Sequence, residues 1–312
     1  MKFSVTIPAY KSQYLREAIE SVFRQTYTDW ELIIVDDCSP EDLHAIVEPF
    51  LTDERISYYR NENNCGAVKV VDNWNICLSH CSADYVICMG DDDRLLPCCL
   101  TEYAKLIDKY PALNVYHCRT EIIDENGEVI DIQEPRPQWE SVLSLLWNRW
   151  DHRNKQYIGD FCYRTQYLKA VGGYYNMPLA WGSDDMTAVL ASREHGIANT
   201  ETFCFQYRNS RYTITSSAAN AKIKIEARLT QLNWYSSLLK QLSKQELTLA
   251  DNHYLLTIDR PMRKYFEKSL GNECPAYIKG APQRLLWCIR QLKPFYIGKT
   301  TFLMWYIKSL SL

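Results

Sequence analysis

No run of about 18 apolar residues occurs in the 312-residue sequence, so no helix able to span a bilayer is expected. The first apolar stretch, Phe3 to Ile7, is too short for a signal peptide and reads as a strand, which predicts a cytoplasmic chain. Cys77, Cys81, Cys88, Cys98 and Cys99 lack the paired Cys-x-x-Cys spacing of a zinc site. Twelve cysteines in so long a chain also lack the density of a disulfide scaffold, so reduced and mostly buried thiols are expected. No glycine falls in Pro8-Ala9-Tyr10-Lys11-Ser12, which excludes a glycine-rich phosphate loop after the first strand. No Ser-His-Asp or Cys-His set suggests a covalent nucleophile, and no internal repeat or low-complexity tract is visible.

The hydrophobic fraction of 46% with 23% charged residues fits a globular chain with a sizeable core. The net charge of −3 hides an asymmetry. Residues 1–221 hold 20 Lys and Arg against 32 Asp and Glu, whereas 222–312 hold 15 against 6. An acidic body with a basic tail predicts one domain over 1–221 and an extension over 222–312 that either meets an anionic partner, lipid headgroups or nucleic acid, or presents a solvated helical face.

Over the first hundred residues, short Val- and Ile-rich runs alternate with segments of helical periodicity. Phe3–Ile7, Glu31–Val35, Ile56–Tyr59 and Tyr85–Met89 read as strands. Between the first two, Ser12 is placed to cap a helix with Leu15, Ala18, Ile19, Val22 and Phe23 on its core face. Pro40 can open a second helix, and a third runs to about Ser79. This β-α-β-α-β-α-β pattern predicts an α/β, Rossmann-like, mostly parallel sheet flanked by helices, with ligands beyond the carboxyl ends of its strands. Pro8-Ala9-Tyr10, Asp36-Asp37 and Asp91-Asp92-Asp93 all follow strands and should share that edge. Farther along, the sequence suggests a hairpin at Asp124–Gly127, an extended stretch at Gly159–Tyr163, a helix over Asp184–His195 and a strand at Thr202–Tyr207. Beyond Ala218 it reads as mainly helical.

Three adjacent carboxylates repel one another unless something neutralises them, and oxygen ligands suit Mg²⁺ or Mn²⁺. A solvated acidic loop has the same composition. Asp36-Asp37 fits either a helix cap or a contact to a ribose or base, and Tyr10 offers a flat ring.

Taken together, these segments resemble the family-2 glycosyltransferases of the GT-A fold over roughly residues 1–210. The resemblance is carried by Ser4-Val5-Thr6-Ile7-Pro8-Ala9-Tyr10, Glu31-Leu32-Ile33-Ile34-Val35-Asp36-Asp37-Cys38-Ser39, Asn61-Glu62-Asn63-Asn64-Cys65-Gly66, Asn73-Trp74-Asn75 and Asp84-Tyr85-Val86-Ile87-Cys88-Met89-Gly90-Asp91-Asp92-Asp93, which closes on Leu96-Pro97. It implies a nucleotide-binding half over about 1–97 and an acceptor half over about 98–221. Pro8, Tyr10, Asp37 and Asn73 would line the nucleotide, with Tyr10 on the base face and Asp37 at its polar edge. The family usually reads Asp-x-Asp-Asp, and Gly90 stands where its first Asp would be. On that alignment Asp92 is the main metal ligand, Asp93 a second or water-mediated one, and Asp91 lies near the ribose.

The resemblance also implies a general base at the start of a helix, fitting Trp181-Gly182-Ser183-Asp184-Asp185-Met186 after Gly172-Gly173-Tyr174. Asp184 is the first choice and Asp185 the second. Tyr207-Arg208 matches the family's Tyr-Arg, which puts Arg208, or alternatively Arg211, near the leaving diphosphate. The implied reaction is inverting transfer of a sugar from a nucleoside-diphosphate sugar, UDP-linked first, to a saccharide or lipid-linked saccharide in surface polysaccharide synthesis. No nucleic acid partner is implied. A sugar-nucleotide nucleotidyltransferase and a non-catalytic carbohydrate-binding protein are the alternatives.

Trp139, Trp147, Trp150 and Trp181 flank the proposed acceptor side, although Trp139, Leu143, Leu146, Trp147 and Trp150 lie at the helical spacing of a core face. In the tail, Arg284–Arg290 and Phe302–Lys308 mix bulky apolar side chains with cations. That mixture suits peripheral contact of residues 282–312 with the inner face of the plasma membrane, or packing on the catalytic domain.

Overall fold

The computed structural model describes residues 1–210, 220–279, 281–293 and 297–310, so Arg211 lies outside the described residues. The chain divides into two compact units. The first comprises Met1–Val142, Asn154–Asn176 and Ser183–Arg211, and the second Leu143–Arg153, Met177–Gly182 and Tyr212–Leu312. The division expected at residue 221 thus misses two earlier segments that join the helical unit. Trp150 explains one of them: its buried ring packs edge-on against Tyr235 at 5.0 Å and lies 6.4 Å from Phe266.

Among the described residues of the first unit, ten strands form one sheet. They are β1 Phe3–Ala9, β2 Trp30–Asp36, β3 Ile56–Arg60, β4 Tyr85–Cys88, β5 Arg94–Leu95, β6 Val115–Ile123, β7 Val129–Ile132, β8 Trp139–Glu140, β9 Phe161–Arg164 and β10 Ile197–Arg208. Their order is β3-β2-β1-β4-β9-β6-β10-β5, with β7 beside β6 and β8 beside β10. The first four neighbours are parallel, β9 runs antiparallel to both β4 and β6, and β6 is parallel to β10. Every β1 residue except Pro8 and every β2 residue except Glu31 is buried, as expected of parallel strands covered on both faces.

The helix Leu15–Phe23 buries Leu15, Ala18, Ile19 and Val22, as its spacing predicts, but Phe23, expected on the same stripe, ends the helix exposed, with its ring against Trp30 and Phe50. Ser12 does not cap it. The Ser12 N–H donates instead to Glu41 Oε2 at 2.7 Å. The second helix shrinks to His44–Val47 followed by a 3₁₀ turn at Glu48–Phe50, where Pro49 removes a backbone donor.

Register brings the strand ends level. Ala9 pairs with Asp36, Asp36 with Arg60, and Thr6 with Cys88. At the opposite end of β2, Glu31 accepts bonds from Lys2 Nζ at 2.8 Å, Ser4 Oγ at 2.6 Å, and Ser82 N and Oγ at 2.8 and 2.6 Å. Burial raises this carboxyl, but those donors outweigh it and hold it at about 2. A lowered folded-state value means the stabilisation is complete above the unfolded carboxyl range and is lost as pH falls toward 2. Glu31→Gln should therefore cost about 1 kcal/mol at neutral pH, after allowance for its partial exposure, with the gap to the parent closing below about pH 4. Urea unfolding across that range measures it.

In the second unit, the helices Ala221–Leu242, Leu249–Thr257, Asp259–Ile278, Gln283–Leu292 and Lys299–Leu310 carry the expected helical extension. Ile225, Leu270, Cys274, Ile278, Cys288, Leu292, Phe302 and Trp305 form its core. Trp147 donates its Nε1–H to Thr257 Oγ1 at 3.0 Å, whereas Trp139 stands half-exposed on β8 in the first unit. No helix among the described residues is long and apolar enough to cross a membrane.

Candidate functional site

The acidic turn leaves β4 and is tied to two other strand ends. Asp91 Oδ2 accepts the N–H groups of Tyr10 and Lys11, both at 2.7 Å. Asp93 Oδ1 accepts the Arg208 N–H at 2.9 Å. A Cβ on Gly90 would lie 2.8 Å from Asp93 Oδ2 and 3.0 Å from Asp92 Oδ1. Those two oxygens therefore crowd one point above residue 90, where an aspartate would displace them. Asp91, expected near a ribose, has one oxygen committed to holding the loop after β1.

Burial pushes all three carboxyls above their usual range. Asp92 adds repulsion to both neighbours, bringing Asp91 to about 6 in spite of its backbone donors. Nearby positive charge would relieve this. The described residues contain no cluster of three His, Cys, Asp or Glu able to hold a metal ion by themselves. Two converging carboxylate oxygens fit the other kind of site, in which one or two carboxylates share a hard cation with substrate phosphates and water.

On the nucleotide side, the Tyr10 backbone is fixed twice: its N–H by Asp91, and its carbonyl by Ser39 Oγ at 2.7 Å. Its ring is 43% exposed. Pro8 lies in β1 opposite Val35. Asp37 is buried, and its Oδ1 accepts Asn61 Nδ2 and the Cys65 N–H, each at 2.9 Å. Asn61 Nδ2 also donates to Asn73 Oδ1 at 3.0 Å, so Asn61 links the two expected nucleotide residues. Sequence reasoning gave Asn61 no role, and its place directly after the third strand was the available signal. Asp36 is held by Tyr58 Oη and the Ser39 N–H, both at 2.7 Å, and by Arg60, which makes it part of the scaffold.

Asp184 and Asp185 open the helix Ser183–Ser192. Asp185 is buried and Asp184 half-buried, with Asp184 Oδ1 accepting the Asp185 N–H at 2.9 Å. Burial raises the Tyr207 phenol, and Asp93, Asp92 and Asp184 raise it further. The acidic turn and the helix start thus act on one side chain. Tyr207 stacks on Tyr157 with ring centroids 3.9 Å apart. Its sequence motif was read for the arginine alone, so this phenol was missed.

Arg208 departs from expectation. Only 1% exposed, it directs its donors into the protein: Nε to Asp92 O at 2.8 Å, Nη1 to Asp124 O and Glu125 O at 3.2 and 3.3 Å, and Nη2 to Glu17 Oε2 at 2.8 Å. Its guanidinium lies 3.9 Å from the centroid of the Tyr14 ring. It braces the acidic turn through these bonds. Trp181 belongs to the second unit, where Lys224 and Arg228 approach its ring at 4.5 and 5.2 Å and Gln231 holds its carbonyl. Two cations of that unit thus surround its ring.

The family model described as glycosyl transferase family 2 matches residues 4–170. WcaA of Escherichia coli (strain K12), named for colanic acid biosynthesis, is 42% identical over 97 residues, which is 30% of this chain and 33% of that protein. The chain covers less than half the length of this and the next curated relatives. The crystal structure of Staphylococcus aureus TarS residues 1–349 with UDP-GlcNAc matches all of this chain and 89% of its own, at TM-score 0.69 and 16% identity. The mannosyltransferase PcManGT from Pyrobaculum calidifontis, in complex with GDP-Man and Mn²⁺, matches 99% of this chain and 86% of its own, at TM-score 0.52 and 14% identity. At these identities the structural matches speak for the fold, the GT-A arrangement. The matched segment contains β1 to β4, the acidic turn and the Asp37–Asn61–Asn73 group, and through it the chain belongs to glycosyl transferase family 2.

Proposed function

We propose that this chain transfers a sugar from a nucleoside-diphosphate sugar, UDP-linked first among candidates, to a hydroxyl of a saccharide or lipid-linked saccharide in surface polysaccharide synthesis. One observation carries the reading most: Asp91 fastens the Tyr10–Lys11 backbone to the acidic turn, so a base-stacking ring and a phosphate-side carboxylate pair are built as one piece. The UDP-GlcNAc and the GDP-Man with Mn²⁺ held by the two structural neighbours support a nucleotide-sugar donor and a divalent metal.

In this reading Tyr10 packs on the base, and Asp37, oriented by Asn61 and Cys65, accepts from its polar edge, with Pro8 and Asn73 close by. Asp91 acts through the loop it holds. Asp92 and Asp93 would hold Mn²⁺ or Mg²⁺, which when bound would supply charge stabilisation for the departing diphosphate. Arg208 fixes the carbonyl of Asp92 and, through its own N–H, the carboxylate of Asp93. Asp184 removes the acceptor proton as the hydroxyl attacks the anomeric carbon from the face opposite the leaving group, which inverts the configuration. Asp185 supports the helix start, which Trp181 precedes in the sequence. The enzyme works in the cytoplasm, with residues 282–312 meeting the inner face of the plasma membrane.

Nucleoside-diphosphate release from UDP-GlcNAc, UDP-Glc and GDP-Man, each with Mn²⁺, Mg²⁺ or a chelator, tests the reading. Release with one donor that the chelator abolishes is expected. Binding without release from any donor would leave a carbohydrate-binding protein instead.

A further inference from the structure

The last helix of the second unit has two apolar sides. Phe302 and Trp305 are buried in the core of that unit, as expected of a packed helix. On the outer side, Leu303, Met304, Ile307 and Leu310 are 59%, 59%, 58% and 70% exposed. Their spacing of one, four and seven residues from Leu303 sets them on one face of Lys299–Leu310. A face meant for water would be polar here. Within 303–310, Lys308 is the one charged residue, and it also donates to Gly271 O at 3.1 Å. The preceding helix, Gln283–Leu292, adds Leu286 at 58% exposed, with Arg284 and Arg290 exposed on it and Lys293 just beyond.

Charge separates the possible partners. After Glu273 the chain contains no further acid, while Lys279, Arg284, Arg290, Lys293, Lys299 and Lys308 are all basic. An acid-free, basic stretch that exposes large apolar side chains matches an anionic lipid interface, where the apolar groups enter the headgroup boundary and the cations meet phosphates. Area argues against a second copy of the chain. At roughly 100 Å² for each side chain the row offers about 400 Å², about half of what each partner contributes to a standard stable interface.

We propose that Leu303, Met304, Ile307 and Leu310, with Leu286 and the cations Arg290, Lys293 and Lys308, form a docking face for an anionic lipid surface. This names the residues for the membrane contact proposed above, and it stands apart from the donor chemistry.

Flotation of the full chain with two kinds of vesicle tests it: phosphatidylcholine alone, and equal parts phosphatidylcholine and phosphatidylglycerol. The parent chain should float with the mixed vesicles and largely stay behind with the neutral ones. Combined Leu303→Ser, Met304→Ser, Ile307→Ser and Leu310→Ser should reduce the bound fraction about tenfold or more while circular dichroism and donor hydrolysis stay unchanged. Arg290→Gln and Lys293→Gln together should weaken flotation and reduce its dependence on salt. The proposal is overturned if the parent ignores both vesicles or if the serine variant floats as well as the parent. It is also overturned if light scattering shows a dimer that the serine changes dissociate. Flotation without any donor hydrolysis would sink the transferase reading alone, and hydrolysis without flotation would sink only the lipid face.

Discussion

Asp184→Asn is expected to lower kcat for sugar transfer by about a thousandfold, within the range that a positioned general base contributes. The amide keeps the shape of the carboxylate, and its oxygen can still accept the Asp185 N–H that Asp184 Oδ1 now binds at 2.9 Å. The helix start should therefore remain formed, and only the capacity to take a proton is lost. Donor KM should stay within a few-fold, because the expected nucleotide residues lie on other strand ends. Asp185→Asn should act more weakly, since that carboxylate is buried. Steady-state kinetics with acceptor, together with calorimetric titration of the nucleotide, separate the two effects. Retention of more than a tenth of the activity would remove Asp184 as the base.

The second large effect is expected at Arg208. Arg208→Met deletes donors to Asp92 O, Asp124 O, Glu125 O and Glu17, together with the cation over Tyr14. At roughly 1 kcal/mol for each of these four bonds, the loss is about 4 kcal/mol, or roughly 8–16 °C in Tm on the scale of a large domain. Arg208→Lys should recover little, because one ammonium cannot span partners arranged for a planar fork. The bond from the Arg208 N–H to Asp93 survives both changes, so the strand end stays in place while the Asp92 carbonyl is released. Weakened Mn²⁺ binding, followed by the paramagnetic signal of the free ion, should accompany the drop in Tm. A variant that melts normally but no longer releases the nucleoside diphosphate would instead return Arg208 to the leaving phosphate.

The first four strands were legible within a residue or two, because a parallel strand covered on both faces is written as an uninterrupted apolar run. Leu32–Val35 within β2 is the clearest case. The capping role given to Ser12 was not, since its hydroxyl as well as its N–H is engaged by Glu41, a partner 29 residues away that no local pattern reveals. The extended stretch around Phe161 was recognised, but its insertion as an antiparallel strand between β4 and β6 depends on pairing, which alternation alone does not encode. At the site, residue types showed that charge had to be managed without showing how. Asp91 spends an oxygen on two backbone amides, and Arg208 turns inward to a carbonyl and a distant glutamate. Both uses come from tertiary neighbours.

The position of β9 also bears on how the chain is made. Strand β4 ends at Cys88, and its antiparallel neighbour begins at Phe161. A ribosome adding about 5–20 residues per second needs roughly 4–15 s to cross that gap. During that time the nascent chain carries a half-finished sheet with one edge of Tyr85-Val86-Ile87-Cys88 open to any passing strand. A transcript shortened between the two strands would leave that edge permanently unpaired, so fragments ending near residue 100 should collect in inclusion bodies, whereas those reaching past Arg164 cover the β4 edge.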